Sequence, residues 1–277
     1  MSVKRMIAIA VIFAAACGGW GILGTATTLR STESAGRLGE QVANLWGVPL
    51  VQEAPSLGVE IPGSDRLRWI MPSRNDVKVA LQAEHRKKGL IWYPTYTRQF
   101  DGAYTISNEE TVTQKVRLHF RFPAQGGTYD DFGVWVDETQ LRSAVDVAEG
   151  VGEILEIEPG QTKKFRVTYT TRGIGEWRYR MDLNAGRVQN LDLAVATNFR
   201  AVDYPDGSLS PMSVEKAGDG MTLTWRAADL ITKQDIGVVI PEKLNPGPLT
   251  SRITFFAPVC LLFFFVFSGC RCNRRQC

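Results

Sequence analysis

The apolar residues of this chain form two continuous runs, with a long stretch of mixed polarity between them. No charged residue occurs in 6–29 or in 253–269. A helix needs roughly 17–25 apolar residues to cross about 30 Å of hydrocarbon. We therefore expect transmembrane helices at 6–29 and 253–269, flanking a domain that buries a core of its own.

Between the two runs, hydrophobic and polar residues alternate with the period of two that is typical of half-buried strands. The clearest example is 116–122, where apolar and basic residues alternate. The same rhythm recurs in seven more segments: 77–83, 104–107, 132–136, 165–169, 177–181, 191–195 and 221–225. Turn residues separate them: Gly126-Gly127, Pro159-Gly160, Arg172-Gly173, Pro205–Gly207 and Gly218–Gly220. This pattern predicts a mainly β domain over 75–248, an antiparallel β-sandwich.

The segments that join this domain to the apolar runs have different patterns. Residues 31–46 carry a helical apolar stripe that continues the first anchor: Ala35, Leu38, Val42, Leu45 and Trp46. Residues 47–74 hold four prolines and three glycines, which predicts an irregular linker. We thus interpret 30–74 as a juxtamembrane helix and linker, and Asn245–Pro248 as a stiff spacer before the second anchor.

The basic residues predict the orientation of the chain. Five of the 32 Lys and Arg lie outside 30–252, the whole segment between the two apolar runs, whereas all 29 Asp and Glu lie within it. The five are Lys4, Arg5, Arg271, Arg274 and Arg275. Because short basic flanks are retained in the cytoplasm, we expect cytoplasmic ends at 1–5 and 270–277 and a domain outside the cytoplasm. That domain carries a formal charge of −2 and offers no field for nucleic acid. The expected partners are the lipid bilayer and other envelope proteins.

The five cysteines lie in or beyond the apolar runs, at Cys17, Cys260, Cys270, Cys272 and Cys277. The intervening domain can therefore have no disulfide framework and must depend on burial. Ala14–Cys17 is similar to a lipoprotein cleavage site, in which the cysteine would be lipidated. The apolar run continues to Leu29, longer than a signal peptide needs. An uncleaved anchor is the leading interpretation, and a binding module anchored through Cys17 is the alternative.

Three sets of polar or glycine residues deserve comparison with known site chemistry: His85 and His119; Asp130 and Asp131; Gly150 and Gly152. Both histidines lie at polar positions, far from any cysteine of the same compartment, and are interpreted as solvated. Adjacent aspartates on a strand point to opposite faces, which favours solvation over acid–base chemistry. The two glycines lack the strand–loop–helix setting of a phosphate loop. We expect no catalytic residue, no cofactor-binding residue and no metal ligand.

The aromatic segment Trp92–Tyr96 has two interpretations. It packs as part of the sheet, because aromatic residues are enriched in strands and cores, or it binds a carbohydrate or a protein partner. Packing is the leading interpretation.

Five segments together resemble the CreD-like inner-membrane proteins, over about residues 75–267: 84–96, 100–106, 173–179, 241–248 and 255–259. The resemblance implies a Gram-negative inner-membrane protein with a periplasmic domain, linked to cell-envelope integrity and colicin tolerance. It brings no catalytic residues. Members of that family continue into further membrane helices, whereas this chain changes composition at Cys270–Cys277. We interpret that tail as a frameshift or early stop, or as a native short cytoplasmic tail.

The sequence as a whole favours a non-enzymatic integral membrane protein that contributes to envelope integrity or stress response. A membrane-tethered hydrolase acting on envelope polymers is the rival from another class. It would need an acid, base or nucleophile that converges only in three dimensions.

Overall fold

The apolar and the alternating segments both form regular secondary structure. A computed structural model describes residues 3–61, 63–64, 66–141, 146–181 and 187–273. In that part of the chain two helices flank seventeen strands in chain order. The helices are α1 (Val3–Trp46) and α2 (Pro246–Asn273). The strands are β1 (Leu50–Glu53), β2 (Ser56–Glu60), β3 (Leu67–Ile70), β4 (Arg74–Ala83), β5 (Arg86–Lys88), β6 (Ile91–Tyr93), β7 (Thr95–Ser107), β8 (Gln114–Phe120), β9 (Asp130–Val136), β10 (Thr139–Gln140), β11 (Val151–Ile157), β12 (Thr162–Ile174), β13 (Glu176–Arg180), β14 (Arg187–Thr197), β15 (Ser213–Ala217), β16 (Gly220–Ile231) and β17 (Ile236–Val239).

The chain divides into two units. The helix unit comprises Met1–Gln41, Lys87–Trp92 and Lys243–Cys277. The β unit comprises Val42–Arg86 and Tyr93–Glu242. The helix unit is therefore built from both ends of the chain and one short internal segment.

In the helix unit, α1 and α2 lie side by side in antiparallel directions. Near one end of the pair the rings of Phe13 and Phe265 are 6.3 Å apart, edge to face. Further along, the hydroxyls of Thr28 and Ser251 share a hydrogen bond of 2.5 Å. Both helices are long and apolar enough to cross a membrane, over Ile7–Trp46 and Pro246–Phe267. The mainly β fold with two long apolar helices at its ends is thus confirmed.

Both helices extend beyond the uncharged runs. The first continues without a break to Trp46, which confirms that the segment 31–46 is helical, although Leu45 of the apolar stripe is 79% exposed. The segment Asn245–Pro248, predicted to be a stiff spacer, includes the start of α2 at Pro246. Proline is tolerated there, since the first amides of a helix have no intrahelical partner.

Three sheets form the β unit. The largest has eight strands in the order β10-β9-β12-β7-β4-β14-β16-β15, and the others are β11-β8-β2-β3 and β1-β13-β17. Most neighbouring strands are antiparallel, as predicted. Two pairs differ: β1 runs parallel to β13, and β4 runs parallel to β14.

The core of the β unit is formed by side chains that alternate along these strands. In β8, Val116, Leu118 and Phe120 are at most 2% exposed, which confirms the predicted strand and its register. Phe100 of the eight-stranded sheet lies 6.1 Å from Phe120 of the four-stranded sheet, between ring centroids. Aromatic side chains therefore connect these two sheets.

The predicted linker over 47–74 is wrong. It contains β1, β2 and β3, and Leu50 and Leu57 are essentially inaccessible to solvent. The prolines misled because they stand between strands: Pro49 precedes β1, Pro55 separates β1 from β2, and Pro72 precedes β4.

One predicted turn is also wrong. Arg172-Gly173 lies inside β12, and the chain bends at Gly175, between β12 and β13, with a left-handed φ of +81°. Gly173 is required for a different reason. The ring of Tyr96 lies against its Cα, so that a Cβ would clash.

Candidate functional site

Among the described residues of the β unit, Arg98 is the one charged side chain in the core. It belongs to β7, where the inward positions also place Tyr96 and Phe100. The exposed fraction of Arg98 is 0%. Strand alternation thus forces a guanidinium into the layer that otherwise holds aromatic rings.

Arg98 has one polar partner. Its Nη2 donates to the hydroxyl of Tyr169, and that hydroxyl donates to Oε1 of Gln52. Nε and Nη1 have no hydrogen-bond partner, and no ion pair among the described residues includes this arginine. Its guanidinium carbon lies 4.7 Å from the ring centroid of Tyr169 and 5.2 Å from that of Phe100. The faces of these rings, rather than a carboxylate, stabilise the charge.

Tyrosines surround this arginine. Burial raises the pKa of the Tyr96, Tyr104 and Tyr169 hydroxyls far above the ordinary value, and the charge of Arg98 offsets part of that rise. Tyr104 and Tyr179 form a second hydroxyl pair, 3.2 Å apart, and desolvation likewise raises the pKa of Tyr179. All these hydroxyls are neutral at physiological pH and act as hydrogen-bonding groups.

The segment 121–129, which we call the aromatic loop, packs against Tyr169. The ring of Phe122 lies 4.4 Å from that of Tyr129 and 5.8 Å from that of Tyr169. Two main-chain carbonyls of the loop accept hydrogen bonds from the core: Arg121 from Gln52 Nε2 at 3.0 Å, and Thr128 from Thr171 Oγ1 at 2.8 Å. The loop is therefore tied to the same residues that hold Arg98.

A cavity of about 350 Å³ lies on the aromatic loop, lined by 124–128, by 43–48 and by Arg172. Within the β unit, the ring of Trp46 lies 3.9 Å from the guanidinium carbon of Arg86 and 5.2 Å from that of Arg172. The buried Nε1 of Trp46 has no partner. Because α1 ends at Trp46, these two cations also lie near the negative end of its dipole, where positive charge is favourable.

The histidines and aspartates considered from sequence lie apart from this cluster. Nε2 of His85 is 2.6 Å from the carbonyl oxygen of Pro241, and Nε2 of His119 is 2.6 Å from that of Glu149. Each ring nitrogen donates to a carbonyl. Asp130 pairs with Arg172 at 3.4 Å, and Asp131 has a left-handed φ of 53°. The described residues hold no group of three His, Cys, Asp or Glu that could bind a metal ion.

The glycines and aromatics considered from sequence have structural surroundings. Gly150 has φ +91° and directly faces the backbone of Phe120, so no larger residue fits. In Trp92–Tyr96, Thr95 and Tyr96 are fully buried, which confirms packing for that half. Trp92 belongs to the helix unit. Its surroundings differ and are described below.

Comparisons with known proteins do not assign this chain to a family. No family model and no curated protein matches this chain. A solved structure titled "putative nutrient binding protein", from Legionella pneumophila, is similar at 12% identity and a TM-score of 0.38. The match covers 69% of this chain and 71% of that one. A likeness this low carries no argument about fold or function.

Proposed function

We propose that this chain is a non-enzymatic integral protein of a bacterial inner membrane, whose β unit lies in the periplasm and contributes to envelope integrity or stress response. The CreD-like resemblance of the sequence is the source of the envelope role. The observation that supports the proposed membrane insertion is the antiparallel pairing of α1 and α2.

Antiparallel membrane helices place both ends of the chain on one side of the bilayer. Lys4 and Arg5 lie in the first turn of α1, just before its uncharged run, and Arg271 lies at the other end of the chain. Since basic flanks favour the cytoplasm, the β unit between the helices belongs outside. Arg30 and Arg252 follow and precede the apolar runs, where arginine extends from hydrocarbon to the interface.

The β unit is proposed to act through its surface, with its sheets stacked in a sandwich-like arrangement. Its buried tyrosines bond to one another and to Arg98, which supports a packed scaffold.

A reporter inserted at Asp206 tests the orientation. Asp206 lies in an exposed turn of the β unit, so an insertion there interrupts no strand. Alkaline phosphatase, which is active only outside the cytoplasm, should be active at this position, and a fluorescent protein that matures only in the cytoplasm should be dark. The opposite pair of results would refute the proposed topology.

A deletion strain tests the envelope role. Loss of the gene should increase sensitivity to detergents or change tolerance to colicins, and the full chain should restore the parental phenotype. A strain without any envelope phenotype would leave the topology standing but remove the proposed role.

A further inference from the structure

The helix unit contains one short segment from the middle of the chain, Lys87–Trp92. It forms the tip of the β5–β6 hairpin, with Gly89 at a left-handed φ of +61°. Within the unit it lies beside α1, because a Cβ added to Gly89 would lie 3.5 Å from Cδ1 of Leu38. The apolar helices thus carry a small appendage.

Trp92 is fixed firmly in this appendage. The side chain of Asn245 accepts a hydrogen bond from the main-chain nitrogen of Trp92 at 2.7 Å and donates one to its carbonyl at 3.1 Å. Nζ of Lys243 lies 4.4 Å from the Trp92 ring centroid, and Nζ of Lys87 lies 5.7 Å from it. The indole and two ammonium groups are therefore held together at the start of α2.

Large apolar side chains project from the same two segments. Leu90 is 71% exposed and Leu244 is 90% exposed. These leucines stand beside Lys87, Lys243 and Trp92 at one end of the helix pair. This combination is typical of membrane interfaces, where tryptophan and leucine enter the boundary of the acyl chains and lysine reaches the headgroups.

Within the helix unit these two segments carry only basic charges, and the acidic residues of the unit, Glu33 and Glu40, belong to α1. Residues 87–92 and 243–273 contain no aspartate or glutamate, and they contribute Lys87, Lys88, Lys243 and Arg252 on the side near the hairpin. Pro246 lies seven residues before Ile253, where the uncharged run of α2 begins. At 1.5 Å per residue this is roughly 10 Å. A charged membrane surface attracts lysines over about that distance, one Debye length.

We propose that Lys87–Trp92 together with Lys243 and Leu244, the interfacial patch, binds the headgroups of anionic phospholipids in the leaflet where α2 enters the bilayer. The inference rests on the proposed function, because it requires α1 and α2 to span the membrane. The ammonium groups contact the lipid phosphates, Trp92 occupies the boundary layer, and Leu90 and Leu244 contact the upper acyl chains.

The full chain in nanodiscs tests this inference. One set of discs contains phosphatidylcholine alone, and the other contains one third phosphatidylglycerol. The measurement is the enrichment of phosphatidylglycerol retained by the protein after mild detergent exchange, quantified by mass spectrometry. The test variant is Lys87→Gln with Lys243→Gln, and the matched control is Lys216→Gln with Lys233→Gln, two exposed lysines of the β unit.

Removing one interfacial lysine should weaken the preference for anionic lipid about fivefold. The double test variant should therefore lose most of the enrichment, whereas the control should keep it. Equal enrichment in the wild type and the test variant would overturn the inference, and so would an equal loss in the control.

Extraction with alkaline carbonate distinguishes failure of the interfacial patch from failure of the proposed function. A chain that resists carbonate but shows no lysine-dependent enrichment refutes only the interfacial patch, whereas a chain that carbonate releases refutes the proposed function and this inference together.

Discussion

The same residue type has opposite surroundings in the two units. Phenylalanines of α2 are exposed, with Phe264 at 64% and Phe267 at 72%. Phenylalanines of the β unit are inside it, with Phe120 and Phe165 at 0%. The difference cannot come from the side chain. Under the proposed function it comes from the medium around each surface, because lipid accepts an exposed phenyl ring whereas water does not.

Polar groups differ between the units in the complementary way. In α1, hydroxyls such as Thr25 and Thr32 bond to carbonyls four residues back in the same helix, so that each segment satisfies its own groups. In the β unit a buried group finds its partner far away in sequence, as Gln52 does with Arg121. Most α1 hydroxyls are therefore satisfied within their own helix, apart from the Thr28–Ser251 contact, whereas buried groups of the β unit depend on distant partners. Four experiments test this contrast.

The largest expected effect is alkaline unfolding of the β unit alone. Burial raises the pKa of Tyr96, Tyr104, Tyr169 and Tyr179, whereas an unfolded tyrosine titrates near pH 10. A group whose pKa is raised on folding contributes stability below its unfolded pKa, and that stability is lost as the pH rises further. Four such groups lose about 5 kcal/mol per pH unit above about pH 10. Tyrosinate absorbance and circular dichroism between pH 8 and 12 should change together.

The helix unit is the internal control for this titration, because all seven tyrosines lie outside it. Its helical signal in detergent should persist after the strand signal has gone. Tyrosines that all titrate near pH 10 in a folded protein would contradict the buried cluster.

A charge placed in the β core should cost somewhat less. Phe120→Asp buries a carboxylate without a partner, and we expect a loss of about 3–5 kcal/mol in the free energy of unfolding by urea. Arg121→Ser, at the exposed next position, should cost under about 1 kcal/mol. Similar losses at both positions would show that the register of β8 is wrong.

The next experiment removes one hydroxyl beside the buried arginine. Tyr169→Phe leaves Arg98 Nη2 and Gln52 Oε1 without a partner, and the expected loss is about 1–3 kcal/mol. Arg98→Met removes the charge itself and keeps most of the volume. Replacing a buried charge in this way is often neutral or stabilising by about 1–4 kcal/mol, so the two variants should have opposite signs in thermal unfolding. A strongly destabilised Arg98→Met would mean that the guanidinium contributes more than it costs.

The smallest effect belongs to the helix pair. Thr28→Val removes the hydrogen bond to Ser251, which in membranes is worth about 0.6 kcal/mol. Thr27→Val is the control, since the Thr27 hydroxyl bonds only to Leu23 of its own helix. Helix dissociation measured in bicelles should be eased by the first change and unaffected by the second. An equal response would indicate that the two helices do not pair through this contact.

The sequence predicted most of the β fold because alternation is a direct record of burial. The strands predicted over 116–120 and 191–195 are present, and their apolar side chains face the core as expected. The errors arose where other signals masked alternation. In 47–74 the prolines suggested a linker, although they mark the gaps between short strands. The pairing partners of those strands, such as β13 for β1, are distant in sequence and leave no local trace.

The candidate site was missed for a related reason. Arg98 occupies an inward position between Tyr96 and Phe100. An arginine is nevertheless expected to be exposed unless the pattern of its neighbours indicates burial. A signal for burial was present in the sequence. Tyr96, Phe100 and Tyr104 are separated by even numbers of residues and therefore share one face of a strand that begins before the predicted segment 104–107. The hydroxyl of Tyr169 and the amide of Gln52 could not be anticipated, since they arrive from two other strands.

The parallel pairing of β1 with β13 has a consequence for biosynthesis. Gln52 lies opposite Tyr179, so the first strand is made well over a hundred residues before its partner exists. At about 5–20 residues per second, the ribosome needs on the order of 6–25 s to supply that partner. During this interval β1 and its neighbours present unpaired edges, which is a period of aggregation risk. A nascent chain of this kind should depend on a holding chaperone, and the dependence should grow when translation is slowed between 53 and 176.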